Sequence, residues 1–137
     1  MAAIVNVERL EGLPSFVPPN HSKTLDHKLI HAQNGARNLA IWHGRVDPGG
    51  QADSHLHDDM EQVFFVLQGK ACFTLDGQVH HLGRGDLILV PSGITHQITS
   101  EGEQSLKVLI IMTPPPASGD QWVPVEPKPA PAPRPGD

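Results

Sequence analysis

The chain from Gln62 to Thr113 is cut into apolar-rich runs of about four to eight residues by turn signals, and this rules out long helices. Gln62–Leu67 ends at Gln68-Gly69, Lys70–Leu75 ends at Asp76-Gly77, and Gln78–Leu82 follows. Leu87–Val90 and Ile94–Thr99 flank a Pro91-x-Gly93 turn, and Leu106–Thr113 is a last apolar run. Asp-Gly between two such runs is a strong two-residue hairpin signal. No long window carries a helical period, so the spacing predicts an all-β barrel or sandwich.

Two clusters of chemically active side chains sit among these strands. In GGQADSHLHDDMEQVFFVLQG, Gly49 to Gly69, His55 and His57 are two apart, so on extended backbone both rings leave one face. Gln62 follows after four intervening residues. In GDLILVPSGITHQITS, Gly85 to Ser100, His96 comes just after the Pro-x-Gly turn. A lone His-x-His pair reads as polarity on a half-exposed strand. Three histidines and an amide beside turns and apolar strands read as donors for a metal ion, because neutral imidazole suits zinc, copper, iron and nickel.

The two stretches resemble the paired motifs of the cupin superfamily. The first motif runs Gly, five residues, His-x-His, three or four residues, Glu, six residues, Gly. Gly49, His55, His57 and Gly69 occupy it, with Gln62 in the Glu position when counted back from Gly69. The second runs Gly, five residues, Pro-x-Gly, two residues, His, three residues, Asn. Gly85, Pro91, Gly93 and His96 occupy it, with Ser100 in place of Asn. The resemblance implies a single cupin barrel (a double-stranded β-helix, or jelly roll) of the small type. It also implies a mononuclear site in which His55, His57, Gln62 and His96 hold one divalent transition metal: iron, manganese, nickel, copper, cobalt or zinc. Glu61 is the alternative to Gln62, since the family permits both spacings from His57. The distance to Gly69 favours Gln62, because a turn glycine fixes the facing of its strand.

A neutral amide in place of Glu changes the electrostatics. Three imidazoles and an amide leave the ion's full +2 charge uncompensated, which raises its Lewis acidity and favours an anionic chelating ligand such as a carboxylate, 2-keto acid or enolate. The same donor pattern is found in the small cupins that convert unsaturated uronates into linear keto forms. The carboxylate and arginine which those proteins carry near the last strand have no counterpart in KVLIIMT, Lys107–Thr113.

The resemblance and the donor set together imply a metal-dependent enzyme acting on a small anionic oxygenated substrate, a sugar acid or keto/enol acid, by isomerisation, ketonisation or lyase chemistry. The alternatives are a non-haem iron dioxygenase and a non-catalytic ligand-binding or sensing cupin. The proton-transfer residue is not identified by sequence; Glu61, His43 and Asp53 are candidates.

With 137 residues and a formal charge of −5 without basic runs, the chain reads as one domain with no nucleic-acid partner. No apolar segment approaches membrane-spanning length, and the N-terminus lacks a signal-peptide pattern, so a cytoplasmic, membrane-free protein is expected. Cys72 is the one cysteine, expected as a small core residue.

Residues 1–35 contain Pro14, Pro18 and Pro19, with short strands predicted at Ala3–Val7 and Leu25–His31 that pack on the barrel or on a partner. His21, His27 and His31 read here as surface or strand-edge residues. Residues 36–113 form the barrel core, opening with a strand Asn38–Val46 that ends in the turn Asp47-Pro48-Gly49-Gly50. On that strand His43 and Arg45 share a face, with Arg45 read as outward in an ion pair rather than as an anion clamp inside. Residues 114–137 hold nine of the 14 prolines and read as a polyproline-like tail, with Trp122 as its one large apolar residue. The cupin likeness implies a homodimer.

Overall fold

A computed structural model describes residues 2–53 and 59–116. Its strands are β1 (Ser15–Phe16), β2 (His21–Ile30), β3 (Ala40–Asp53), β4 (Glu61–Gln68), β5 (Lys70–Leu75), β6 (Gln78–Leu82), β7 (Leu87–Val90), β8 (His96–Glu101) and β9 (Leu106–Thr113). Among the described residues the only helical element is a single 3₁₀ turn at Ala32–Asn34. All pairings are antiparallel, and the sheet runs β6-β5-β8-β3-β9-β4-β7, with β2 bonded along β3. It curls into the nearly closed jelly-roll barrel that the sequence predicts.

The hairpins form where their turn chemistry places them. Asp76 and Gly77 have φ of 48° and 82°, the two positive values a type I′ turn needs. Gly69 has φ of 86°, and a Cβ there would lie 2.8 Å from the Ser105 carbonyl oxygen. Alternation then turns one side of each strand inward: Phe64 and Val66 on β4, Ala71 and Phe73 on β5, Leu106, Val108, Ile110 and Met112 on β9 are all buried. Phe64 and Phe73 meet edge-on at 5.2 Å between ring centres.

Four predicted features differ. Ala3–Val7 is not a strand; the two residues of β1, Ser15 and Phe16, pair with β2 instead. The strand predicted at Leu25–His31 begins earlier, at His21, and His31 instead precedes the 3₁₀ turn, where its backbone N–H donates to Asn34 Oδ1 at 2.8 Å. The segment Asp47-Pro48-Gly49-Gly50 does not end its strand but bends it. Ala40–Val46 pairs with β9, whereas Gln51–Asp53 pairs with β8, so the four residues form a corner where β3 changes neighbours. Gly49 sits at φ +80°, and a Cβ on Gly50 would lie 2.7 Å from the Ser22 carbonyl oxygen. Opposite the corner β2 slips its register between Ser22 and Thr24. Cys72 also departs from its expected core role: its neighbours Ala71 and Phe73 point inward and are fully buried, so it faces outward and is half-buried.

Among the described residues no helix is long and apolar enough to cross a membrane. The tail from residue 117 onward, with Trp122, lies outside the described residues.

Candidate metal centre

The interior of the barrel holds a cavity of about 30 Å³, room for one or two water molecules. Its polar lining is His21, Thr24 and Asp26 from β2, Gln62 from β4 and His96 from β8. The rest is apolar, including Trp42, Phe64 and Ile110.

Gln62 is 6% exposed and faces this cavity, while its neighbour Glu61 faces solvent. Its register partners, Val90 on β7 and Met112 on β9, are buried on the same side, which fixes that facing. His96 opens β8 directly after the Pro91-x-Gly93 turn; it is 7% exposed, and its ring packs edge-on against Phe64 at 5.5 Å. Two strands remote in sequence thus bring Gln62 and His96 to one cavity. His55 and His57 fall within residues 54–58, outside the described residues. Ser100, in the position of the family's Asn, is on β8 with its hydroxyl buried and without a hydrogen-bond partner among the described residues.

β2 supplies three groups that the sequence reading did not place here. His21 Nδ1 lies 2.8 Å from the Pro19 carbonyl oxygen, so it carries the proton and donates it, leaving Nε2 as the basic nitrogen of a ring that lines the cavity. Thr24 Oγ1 is buried with no hydrogen-bond partner among the described residues, an acceptor and donor available to a bound molecule. Asp26 is 5% exposed. Burial pushes its carboxyl up to about 8, because a charged carboxylate loses hydration that nothing in the apolar lining restores. Gly44, the register partner of Asp26, makes room for it: a Cβ there would lie 3.3 Å from Asp26 Oδ1.

The signal that could have found these groups is the polar alternation Thr24, Asp26, Lys28 along β2. It reads as a solvent face opposite Leu25 and Leu29. Both leucines are buried as well, at 7% and 3% exposure, so β2 is covered on both sides and its polar face turns inward.

The other acid/base candidates lie elsewhere. His43 is on the outer face of β3, against His27, with ring centres 6.4 Å apart. Burial above all, with His27, Lys107 and Arg45 adding to it, lowers His43 to about 4. Arg45 is also outward, as expected, and its Nε lies 3.2 Å from Asp47 Oδ1, which also accepts from Ser105 Oγ at 2.9 Å. Asp53 accepts from the Gln51 side-chain amide at 3.1 Å. Among these candidates none lines the cavity.

The donor types that line the cavity are ones that suit a transition metal. His96, Gln62 and His21 offer nitrogen and oxygen donors to one small, poorly solvated cavity, and the buried Thr24 hydroxyl awaits a partner.

A family model described as a cupin domain matches residues 42–112, more than half of the chain. The chain is 32% identical over 76 residues to an acireductone dioxygenase of Tuber melanosporum, a match covering 52% of this chain and 41% of that protein. It is 27% identical over 93 residues to the transcriptional regulator PuuR of Escherichia coli, covering 68% of this chain and 50% of the regulator. These matches span half or less of either protein. Among solved structures, the polyketide cyclase RemF of Streptomyces resistomycificus superposes with a TM-score of 0.69 at 21% identity, over 90% of this chain and 89% of that one.

Proposed function

The chain belongs to the cupin family, and from that footing we propose that it is a metal-dependent enzyme acting on a small anionic oxygenated substrate, a sugar acid or keto/enol acid, by isomerisation, ketonisation or lyase chemistry. In this reading His55, His57, Gln62 and His96 hold one divalent transition metal. When bound, that ion supplies Lewis acidity toward a carbonyl or enolate oxygen.

The observation that carries the proposal is Asp26: a buried carboxyl, neutral near pH 7, that lines the same cavity as Gln62 and His96. A general acid or base works best with a pKa near the operating pH, and burial has brought this carboxyl there. A divalent cation in the same cavity lowers that value towards neutrality. Asp26 then delivers a proton to, or removes one from, a carbon next to the substrate's carbonyl. His21, its ring oriented by Pro19, accepts from a substrate hydroxyl, and Thr24 Oγ1 fixes a second substrate oxygen. Trp42, Phe64 and Ile110 keep bulk water from the reacting atoms.

The likeness to acireductone dioxygenase supports a second reading, a non-haem iron enzyme whose turnover consumes oxygen. The likeness to PuuR supports a non-catalytic ligand-binding cupin. A homodimer in the cytoplasm belongs to the proposal as well.

Elemental analysis of the Cys72→Ser chain, prepared without a His tag and lacking the thiol that would hold an ion elsewhere, tests the site. Near-stoichiometric transition metal is expected, with strong depletion in His57→Ala and in His96→Ala. Unchanged metal in either variant removes that residue from the site. Loss of an enol chromophore without oxygen uptake supports the leading reading. Iron-dependent oxygen uptake selects the dioxygenase, and stoichiometric metal with no turnover over a panel of keto and sugar acids selects the binding protein.

A further inference from the structure

The chain's single thiol, Cys72, lies on β5, the middle of the three strands β6-β5-β8. Its register partner on β6 is His81, and its partner on β8 is Thr99. Glu101, two residues beyond Thr99, therefore projects from the same outer face one step along the strand. His81 Nδ1 reaches across β5 to Glu101 Oε1 at 2.8 Å. One ligand atom from each of Cys72, His81 and Glu101 lies within 4.8 Å of the others.

Sulfur, imidazole nitrogen and carboxylate oxygen form a donor set suited to zinc. Tetrahedral zinc with bonds of about 2.0–2.3 Å holds such donors about 3.3–3.6 Å apart. Side-chain rotation reaches that spacing, since the thiol starts within 4.8 Å of the other two donors and the His81–Glu101 pair need only open from 2.8 Å, while strand pairing already holds the three backbones in place. His81 is exposed and the other two are half-buried, so an ion has a direct path from solvent. Lys70, the register partner of Glu101, competes for the carboxylate, but a divalent ion brings twice the charge and bonds directly.

We propose that Cys72, His81 and Glu101 form a second metal site, on the outside of the barrel, for a thiol-seeking divalent cation such as zinc, with the fourth position open to water or an incoming donor. The site is independent of the barrel cavity, whose lining contains no thiol.

Cobalt(II) titration of the chelator-stripped full chain tests it. A near-ultraviolet thiolate-to-cobalt charge-transfer band can come only from Cys72, the one thiol, so the barrel site does not contribute. The band is expected to saturate at one equivalent, to disappear when zinc replaces cobalt, and to be absent from Cys72→Ser. His81→Ala and Glu101→Gln each weaken the apparent affinity by about tenfold or more, whereas His96→Ala leaves the band intact. In the unmutated chain, saturating zinc slows alkylation of Cys72 by iodoacetamide about tenfold or more. No band at saturating cobalt, affinity in both ligand variants unchanged from that of the unmutated chain, or no protection of the thiol by zinc overturns the proposal.

Discussion

Asp26 and His27 are neighbours on β2, and their register partners Gly44 and His43 are neighbours on β3, yet the two pairs serve opposite sides of one wall. On the inner side Asp26 faces the cavity beside Gln62 and His96. On the outer side His27 and His43 meet edge-on near Arg45 and Lys107. Burial raises Asp26 to about 8 and lowers His43 to about 4. The two shifts share their largest cause: loss of hydration disfavours whichever form is charged, so an acid and a base are both held neutral. Only the inner group adjoins the cavity that Gln62 and His96 line, so the same physics makes one residue a candidate for chemistry and leaves the other structural.

The largest test of this contrast is kinetic. Asp26→Asn is expected to lower turnover by about 10²–10⁴-fold, the usual contribution of a general acid or base. His43→Gln, on the far side of the wall, is expected to change it less than about threefold. Equal losses from both variants, in steady-state assays on the substrate that the panel identifies, would break the distinction between the faces.

Packing gives the next test. Trp42→Ala on the inner side is expected to cost about 3–5 kcal/mol in urea unfolding, and Leu29→Ala on the outer side about 2–5 kcal/mol, since it is equally well buried. A cost below about 0.5 kcal/mol for Leu29→Ala would mean that the outer side faces water.

The pH dependence of the metal-free protein separates the two groups by sign. Asp26 has a raised native pKa, so its contribution to stability is full below about pH 4 and is lost as pH rises towards about 8. His43 has a lowered one, so its contribution is full above pH 6.5 and is lost as pH falls towards about 4. Each changes stability by at most about 1.4 kcal/mol per pH unit. Between pH 4 and 6.5 they oppose each other; from 6.5 to 8 Asp26 acts alone, and stability falls by about 2 kcal/mol. Chemical denaturation of Asp26→Asn should show that fall removed, and an unchanged slope would rule out Asp26 as its source.

The smallest effect is expected from Gly44→Ala. The new methyl would meet Ile110 Cδ1 at 3.2 Å and Asp26 Oδ1 at 3.3 Å, contacts tight enough to cost about 1 kcal/mol. A neutral result in thermal unfolding would show that the wall yields where Asp26 approaches it.

Much of the barrel was legible in the chain, because its punctuation is local. The bounds of β5, β6, β7 and β9 match the apolar runs, and Asp76-Gly77 turns where two positive φ values are needed. The corner at Asp47–Gly50 was not legible as a corner: the residues that make a turn also make a bulge, and which one forms depends on whether β8 lies alongside to continue the pairing. Of the candidate donors, the facing of Gln62 followed from counting back from Gly69. His21 and Asp26 were hidden, because a polar alternation signals solvent only when one side of a strand is uncovered.

The sequence by itself determined where the chain turns, which residues alternate and which donor types are available, since a turn depends on the φ of one or two residues and alternation on the pleat. The tertiary structure alone decided that the polar side of β2 faces inward, and that Cys72, His81 and Glu101 meet on the outside. Both depend on which strands lie alongside one another, and long-range pairing sets that neighbourhood, not the residues next in sequence.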